Sequence, residues 1–61
     1  MKELYNELRV AIQNKNVALS NFNNADKEFI DVAIYQYNAA VEKVNVIIQM
    51  IKNYDTKEII A

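Results

Sequence analysis

The fold is decided by the stretch IDVAIYQYNAAVEKVNVIIQMIKNY, residues 30–54. Written in heptads with position a at Ile30, it has an apolar or aromatic residue at every a, d and e position. A strand is excluded because alternation would place Ile47 and Ile48 on opposite faces. The stretch therefore predicts a long amphipathic helix. The apolar positions are Ile30, Ala33, Ile34, Tyr37, Ala40, Val41, Val44, Ile47, Ile48, Ile51 and Tyr54.

A second apolar stripe precedes this helix. With position a at Met1, its a, d and e columns are apolar except at Lys15, whose methylene stem can cover the seam while its amine reaches water. The b, f and g columns are polar. The pattern predicts a first amphipathic helix. Its stripe consists of Met1, Leu4, Tyr5, Leu8, Ala11, Ile12, Ala18, Leu19 and Phe22.

The connection between the stripes is the cluster SNFNNAD, residues 20–26. It is the only loop-like segment of a chain that contains no Gly and no Pro. Asp26 is a good N-cap residue, and Glu28 and Asp31 place negative charge in the first turn, where it suits the helix dipole. The second helix is therefore expected to begin at Asp26.

These signals define one all-α domain over residues 1–61. We predict helix 1 at about residues 2–22, helix 2 at about residues 26–54, and a C-terminal tail at residues 55–61 that leaves the heptad pattern. Because the connection is short, the helices are expected to fold back as an antiparallel two-helix hairpin.

The composition excludes several classes of function. The 61 residues include no His and no Cys, so there is no imidazole base, thiol nucleophile, soft metal site or disulfide. Without Gly there is no phosphate-binding glycine loop. The chain has seven Lys and Arg residues and eight Asp and Glu residues, and this balance argues against a dedicated nucleic-acid-binding surface. We predict no catalytic residue, no metal and no cofactor.

Helix 2 is apolar around more of its circumference than one partner helix can cover. Its g and c columns add apolar residues to the stripe, and a chain of about 60 residues buries only about 60% of its unfolded surface. We expect a homodimer in which two hairpins form a four-helix bundle. The same surface could instead dock a helix of another, unknown protein. The interface candidates are Phe29, Val32, Tyr35, Ala39, Val46 and Met50.

Residues 21–40, NFNNADKEFIDVAIYQYNAA, resemble the YaaL-like family of short bacterial proteins of unknown function. The shared pattern is an aromatic residue and Asn before the turn, an acidic cap, and then Phe-Ile-Asp, Ala-Ile-Tyr and a pair of small residues. Lys27 stands where the family often has Pro, and Val44–Val46 replace an aromatic residue that the family often carries. The resemblance implies a helical fold and no particular activity.

Three sharper interpretations compete with structural ones. Asp26, Glu28 and Asp31 could bind a divalent cation, but helix capping explains all three. Pairing of Glu3 with Glu7, or of Glu42 with distant acids, could suggest a bridged metal pair, although bundle sites of that kind use His as well. The aromatic residues could stack nucleic-acid bases, with Tyr37 predicted instead in the core and Tyr35 at an interface. These aromatic residues are Phe29, Tyr35 and Tyr37.

The chain has no apolar run of the length that crosses a membrane, about 20 residues. Its first residues lack the apolar segment of a signal peptide. Lys2, Arg9 and Asn16 form one edge of helix 1, and two cations beside Glu3 and Glu7 are too few for binding a membrane surface. We expect a cytoplasmic protein without membrane contact, with weak nucleic-acid binding as the alternative function.

Overall fold

Two long helices form the described part of the chain. The computed structural model describes the backbone of residues 2–60 and the side chains of residues 2–54. Helix α1 spans Lys2–Asn23, a 3₁₀ turn spans Lys27–Phe29, and helix α2 spans Ile30–Ile60. The helices pack side by side as an antiparallel hairpin, and the described residues contain no strand. The predicted all-α hairpin is confirmed; Met1 and Ala61 lie outside the described residues.

The a and d columns form the seam between the helices. Leu4 and Leu8 of α1 pack against one buried cluster that joins Ala11 to three branched residues of α2. Alanine on α1 lets the backbones approach, and the branched side chains of α2 fill the space between them. Lys15 is half-buried, as its place in the seam predicts. The buried residues are Ala11, Ala18, Ala33, Val44, Ile47 and Ile51.

The seam is narrower than the sequence predicts. The e columns were expected to pack with the a and d columns, yet Tyr5, Ile12, Leu19 and Ile34 are exposed. Two straight helices share little more than an a and d contact, so the next column is covered only if a third element is present. Val41 and Ile48, in the same column of α2, are half-buried.

The chain reverses direction without glycine. The amide and the side-chain amide of Asn24 both donate to the carbonyl of Ser20, at 3.1 and 3.0 Å. The amide of Ala25 then donates to the carbonyl of Phe22 at 3.3 Å, which tightens the end of α1 into a 3₁₀-type turn. No described residue has positive φ. The asparagine side chain thus donates a hydrogen bond to a carbonyl of the last turn of α1, at a place where many helices end on a left-handed glycine.

The prediction that the Asp26 side chain caps helix 2 is wrong. Asp26 does lie at the N-cap position, with φ −69° and ψ 158°, but its carboxylate makes no capping hydrogen bond. The amide of Phe29 donates instead to the backbone carbonyl of Asp26, at 2.9 Å. Because the first turn is 3₁₀, its backbone satisfies the amide that the side chain would otherwise cap.

Helix α2 continues beyond its predicted end at about residue 54. The expected tail, residues 55–61, is helical as far as Ile60, because the segment contains no Gly or Pro to end the helix. At 1.5 Å per residue, α2 is roughly 46 Å long and α1 roughly 33 Å, so α2 extends past α1 at the open end. Tyr54, predicted in the seam, is consequently exposed, as is Ile30 beside the turn.

The hairpin is elongated, with principal extents of 52 × 16 × 11 Å. Its radius of gyration is 14.8 Å, against about 10.5 Å for a compact chain of this length. The accessible surface is 5014 Å², whereas a compact monomer of 7.1 kDa exposes roughly 4,100 Å². A single copy therefore leaves about 900 Å² uncovered beyond the usual amount.

Candidate interaction surface

All six predicted interface residues are exposed. Tyr35 is the most exposed large apolar residue, at 74%. It lies on the side of α2 that faces away from α1, one turn from Val32 and from Ala39. Exposure is what an interface requires of a free protomer, and the binding role of these residues stays a prediction. The six are Phe29, Val32, Tyr35, Ala39, Val46 and Met50.

A small open cavity identifies which columns of the two helices share a side of the hairpin. Its volume is about 220 Å³, and it is lined by Asn6, Glu7, Val10 and Lys43. Glu7 belongs to the g column of α1 and Lys43 to the g column of α2, so the two g columns lie together. Since e and g lie on opposite sides of an a and d seam, the two e columns lie together on the other side.

The e columns form a continuous surface that we call the apolar flank. Its e positions are apolar from Tyr5 to Leu19 in α1 and from Ile34 to Ile48 in α2, and the half-buried Lys15 of the seam adjoins it between Ile12 and Leu19. The sequence placed all of them in the seam, whereas four are exposed and two are half-buried. The members are Tyr5, Ile12 and Leu19 of α1 and Ile34, Val41 and Ile48 of α2.

The opposite side, formed by the g and c columns, is called here the mixed flank. Polar residues at g positions interrupt it, among them Glu7, Gln36 and Lys43. Sequence reasoning missed Val10 and Val17, which are about half exposed. Their seven-residue spacing indicates that both lie on one face of α1. The apolar members are Val10 and Val17 of α1 and Phe29, Val32, Ala39, Val46 and Met50 of α2.

The b columns border the apolar flank and are exposed along both helices. On α2, the charges stand at opposite ends of the column, with Asp31 near the turn and Lys52 near the open end. On α1, Lys2 and Arg9 lie near the open end. The rest of this rim is uncharged and consists of Asn16, Asn23, Asn38 and Asn45.

Within the described residues, no group of three or more acidic, His or Cys side chains is arranged to hold a metal ion. The acidic residues near the turn, Asp26, Glu28 and Asp31, are all exposed. The cavity is smaller than ordinary ligand pockets, which occupy about 300–1,000 Å³. Tyr37 is half-buried toward the seam while Tyr35 is exposed, so these two aromatic rings do not form one stacking surface.

No protein-family model, curated protein or solved structure matches this chain. The resemblance to the YaaL-like family therefore stays a prediction. Among the described residues, neither helix combines the length and the apolar character needed to cross a membrane.

Proposed function

We propose that the chain is a non-catalytic helical protein that self-associates and binds a protein partner through the apolar faces of α2. One observation carries the proposal: the seam buries residues of the a and d columns only, and large apolar residues remain exposed on both of its sides. Contiguous exposed apolar surface on a small protein is typical of interaction sites.

The mixed flank suits a helix of another protein. Val32, Ala39 and Val46 repeat every seven residues along α2, which is the spacing that an amphipathic helix laid alongside can match. The polar residues between them, Gln36 and Lys43, can stay hydrated at the rim of such a contact. Interfaces of mixed composition are typical of partners that exist separately before they bind.

The apolar faces also support association between copies. The surface in excess of a compact monomer, about 900 Å² per chain, would be covered by a second hairpin in a four-helix bundle. Weak nucleic-acid binding, the alternative function, gains no support from a formal net charge of −1.

Two measurements test the proposal. Sedimentation equilibrium at micromolar concentration is expected to give a mass above the 7.1 kDa of one chain. Affinity capture from the native host is then carried out with three baits: wild type, Val46→Asp, and Asn45→Asp as a control that adds the same charge outside the apolar faces. A partner is expected with wild type and with the control and is lost with Val46→Asp.

The captured protein is purified and titrated into the wild type by calorimetry, where burial of apolar surface gives a negative heat-capacity change. A wild-type protein that stays monomeric overturns self-association. Proteins retained equally by all three baits, or a captured protein that shows no direct binding, overturn the partner role of α2.

A further inference from the structure

We propose that the apolar flank is the surface that binds a second copy of this chain, with the turns of the two hairpins at opposite ends of the dimer. The inference rests on the proposed self-association and names its surface and its symmetry. The mixed flank stays outside the contact. Four properties of the flank support it: its composition, its complementarity to itself, its charged rim and its area.

Composition separates the two flanks. A dimer built on the mixed flank would remove Glu7 and Lys43 from water, and removing charges from water is costly unless each is fully paired. The apolar flank carries six apolar residues at its e positions, and the charged side chain nearest to them is that of Lys15, which is half-buried in the adjoining seam. Interface cores are depleted of charge in the same way.

The flank is complementary to itself under a two-fold axis perpendicular to the helices. In α2, Val41 then meets Val41 of the second copy, and Ile34 meets Ile48 of the second copy. In α1, Ile12 meets its own equivalent. The two central residues, Ile12 and Val41, lie at nearly the same height in the hairpin, because Val10 and Lys43 line one small cavity and each central residue is two positions nearer the turn. One axis therefore serves both helices, as a closed dimer requires.

The rim charges favour this axis over one that would place the turns of both hairpins at the same end of the dimer. With the turns at opposite ends, Asp31 lies beside Lys52 of the second copy, and Arg9 lies beside an uncharged Asn16. With the turns at the same end, α1 would pack on α2 of the second copy. Lys2 would then lie near Lys52, and Asp31 near an Asn. Opposite charges favour the first arrangement, and like charges disfavour the second.

The area also fits a second copy. The whole hairpin exposes about 900 Å² more than a compact chain of its mass, and covering that amount on each copy would bury about 1,800 Å² in total, within the range of about 1,200–2,000 Å² for stable dimers. Stacking two layers, each 11 Å thick, across the flank gives a bundle with four helices around one core.

Matched lysine substitutions on the two sides of the seam test the surface. Ile12→Lys faces its own equivalent across the axis and is expected to raise the dimer dissociation constant on the order of a hundredfold or more. Val10→Lys lies two residues earlier in α1, on the mixed flank. It is expected to change the dimer dissociation constant by no more than about threefold. The assay is sedimentation equilibrium, and circular dichroism reports whether each variant keeps its helices.

Single-cysteine variants test the same contact without disrupting it, since the chain has no native cysteine. Under mild oxidation, Ile12→Cys and Val41→Cys are each expected to form a covalent dimer, because each residue meets its own equivalent. Val10→Cys is the control and is expected to stay uncross-linked. A dimer with the turns at the same end would leave both test variants uncross-linked.

A charge exchange tests the orientation. Asp31→Lys and Lys52→Asp are each expected to weaken the dimer several-fold, and the double variant is expected to recover most of that loss. The proposal is overturned if Val10→Lys dissociates the dimer while Ile12→Lys does not, or if only Val10→Cys cross-links. Either result leaves self-association intact. A monomeric wild type, or an apolar flank occupied only by another protein, rules out both self-association and the proposed dimer surface.

Discussion

Adjacent substitutions at Val46 and Ile47 separate the seam from the mixed flank. Ile47 is 4% exposed and belongs to the buried cluster, whereas Val46 is 48% exposed. Ile47→Asp forfeits about 1.5–3 kcal/mol of apolar burial. The polar group left without a buried partner costs about 1–3 kcal/mol more. The total is comparable to the whole stability of a 61-residue chain, roughly 3–9 kcal/mol.

Val46→Asp forfeits only part of a valine side chain that is already half hydrated, below about 1 kcal/mol. We therefore expect Ile47→Asp to lose its cooperative thermal transition and Val46→Asp to melt within about 8 °C of the wild type. Far-UV circular dichroism during heating measures both, with Gln49→Asp as a control for the added charge. Equal effects at the two adjacent positions, or a larger effect at Val46, would refute the assigned heptad register.

Three other changes follow from the packing. Ala11→Leu adds volume at a position of the seam that is only 2% exposed, so it is expected to destabilise the fold by about 1–3 kcal/mol in urea titration; an unchanged midpoint would argue against a tight seam. Asn24→Ala removes the side-chain hydrogen bond to the Ser20 carbonyl and is expected to cost about 0.5–1 kcal/mol in the same assay, a loss that Asn21→Ala should not reproduce. Raising the concentration of wild-type protein is expected to raise its melting temperature, because association stabilises the folded chain; a constant melting temperature contradicts coupled association.

The seam was predictable because burial follows periodicity. Apolar residues that recur at the a and d positions of both helices can be buried in a hairpin only against each other. Ala11, Val44 and Ile47 are accordingly buried at the positions that the heptads predict. The fate of the e columns was not predictable in this way. Whether Ile12 and Ile34 are covered depends on a third element, and a periodic pattern does not say how many helices will assemble around it.

The helix ends depended on small local energies. At Asp26 the choice lay between a side-chain cap and a backbone 3₁₀ bond, which differ by little more than one hydrogen bond. At residue 54 the apolar heptads end, but nothing ends the helical backbone, so α2 runs on to Ile60. Hydrophobic pattern marks where a helix packs, and breakers mark where it stops; this chain contains no Gly or Pro.

The division into two flanks has a consequence for assembly. The flanks lie on opposite sides of one seam, so a second copy bound to the apolar flank leaves the mixed flank of each copy open to solvent. The two-fold axis places these mixed flanks on opposite outer faces of the bundle.

A dimer of this kind presents the same binding surface twice. A partner that carries two matching helices would then be held more tightly than one that carries a single helix, with no new contact on this chain. Self-association would thus increase the avidity of a weak flank for an oligomeric partner, which gives the dimer a role beyond stabilising a small chain.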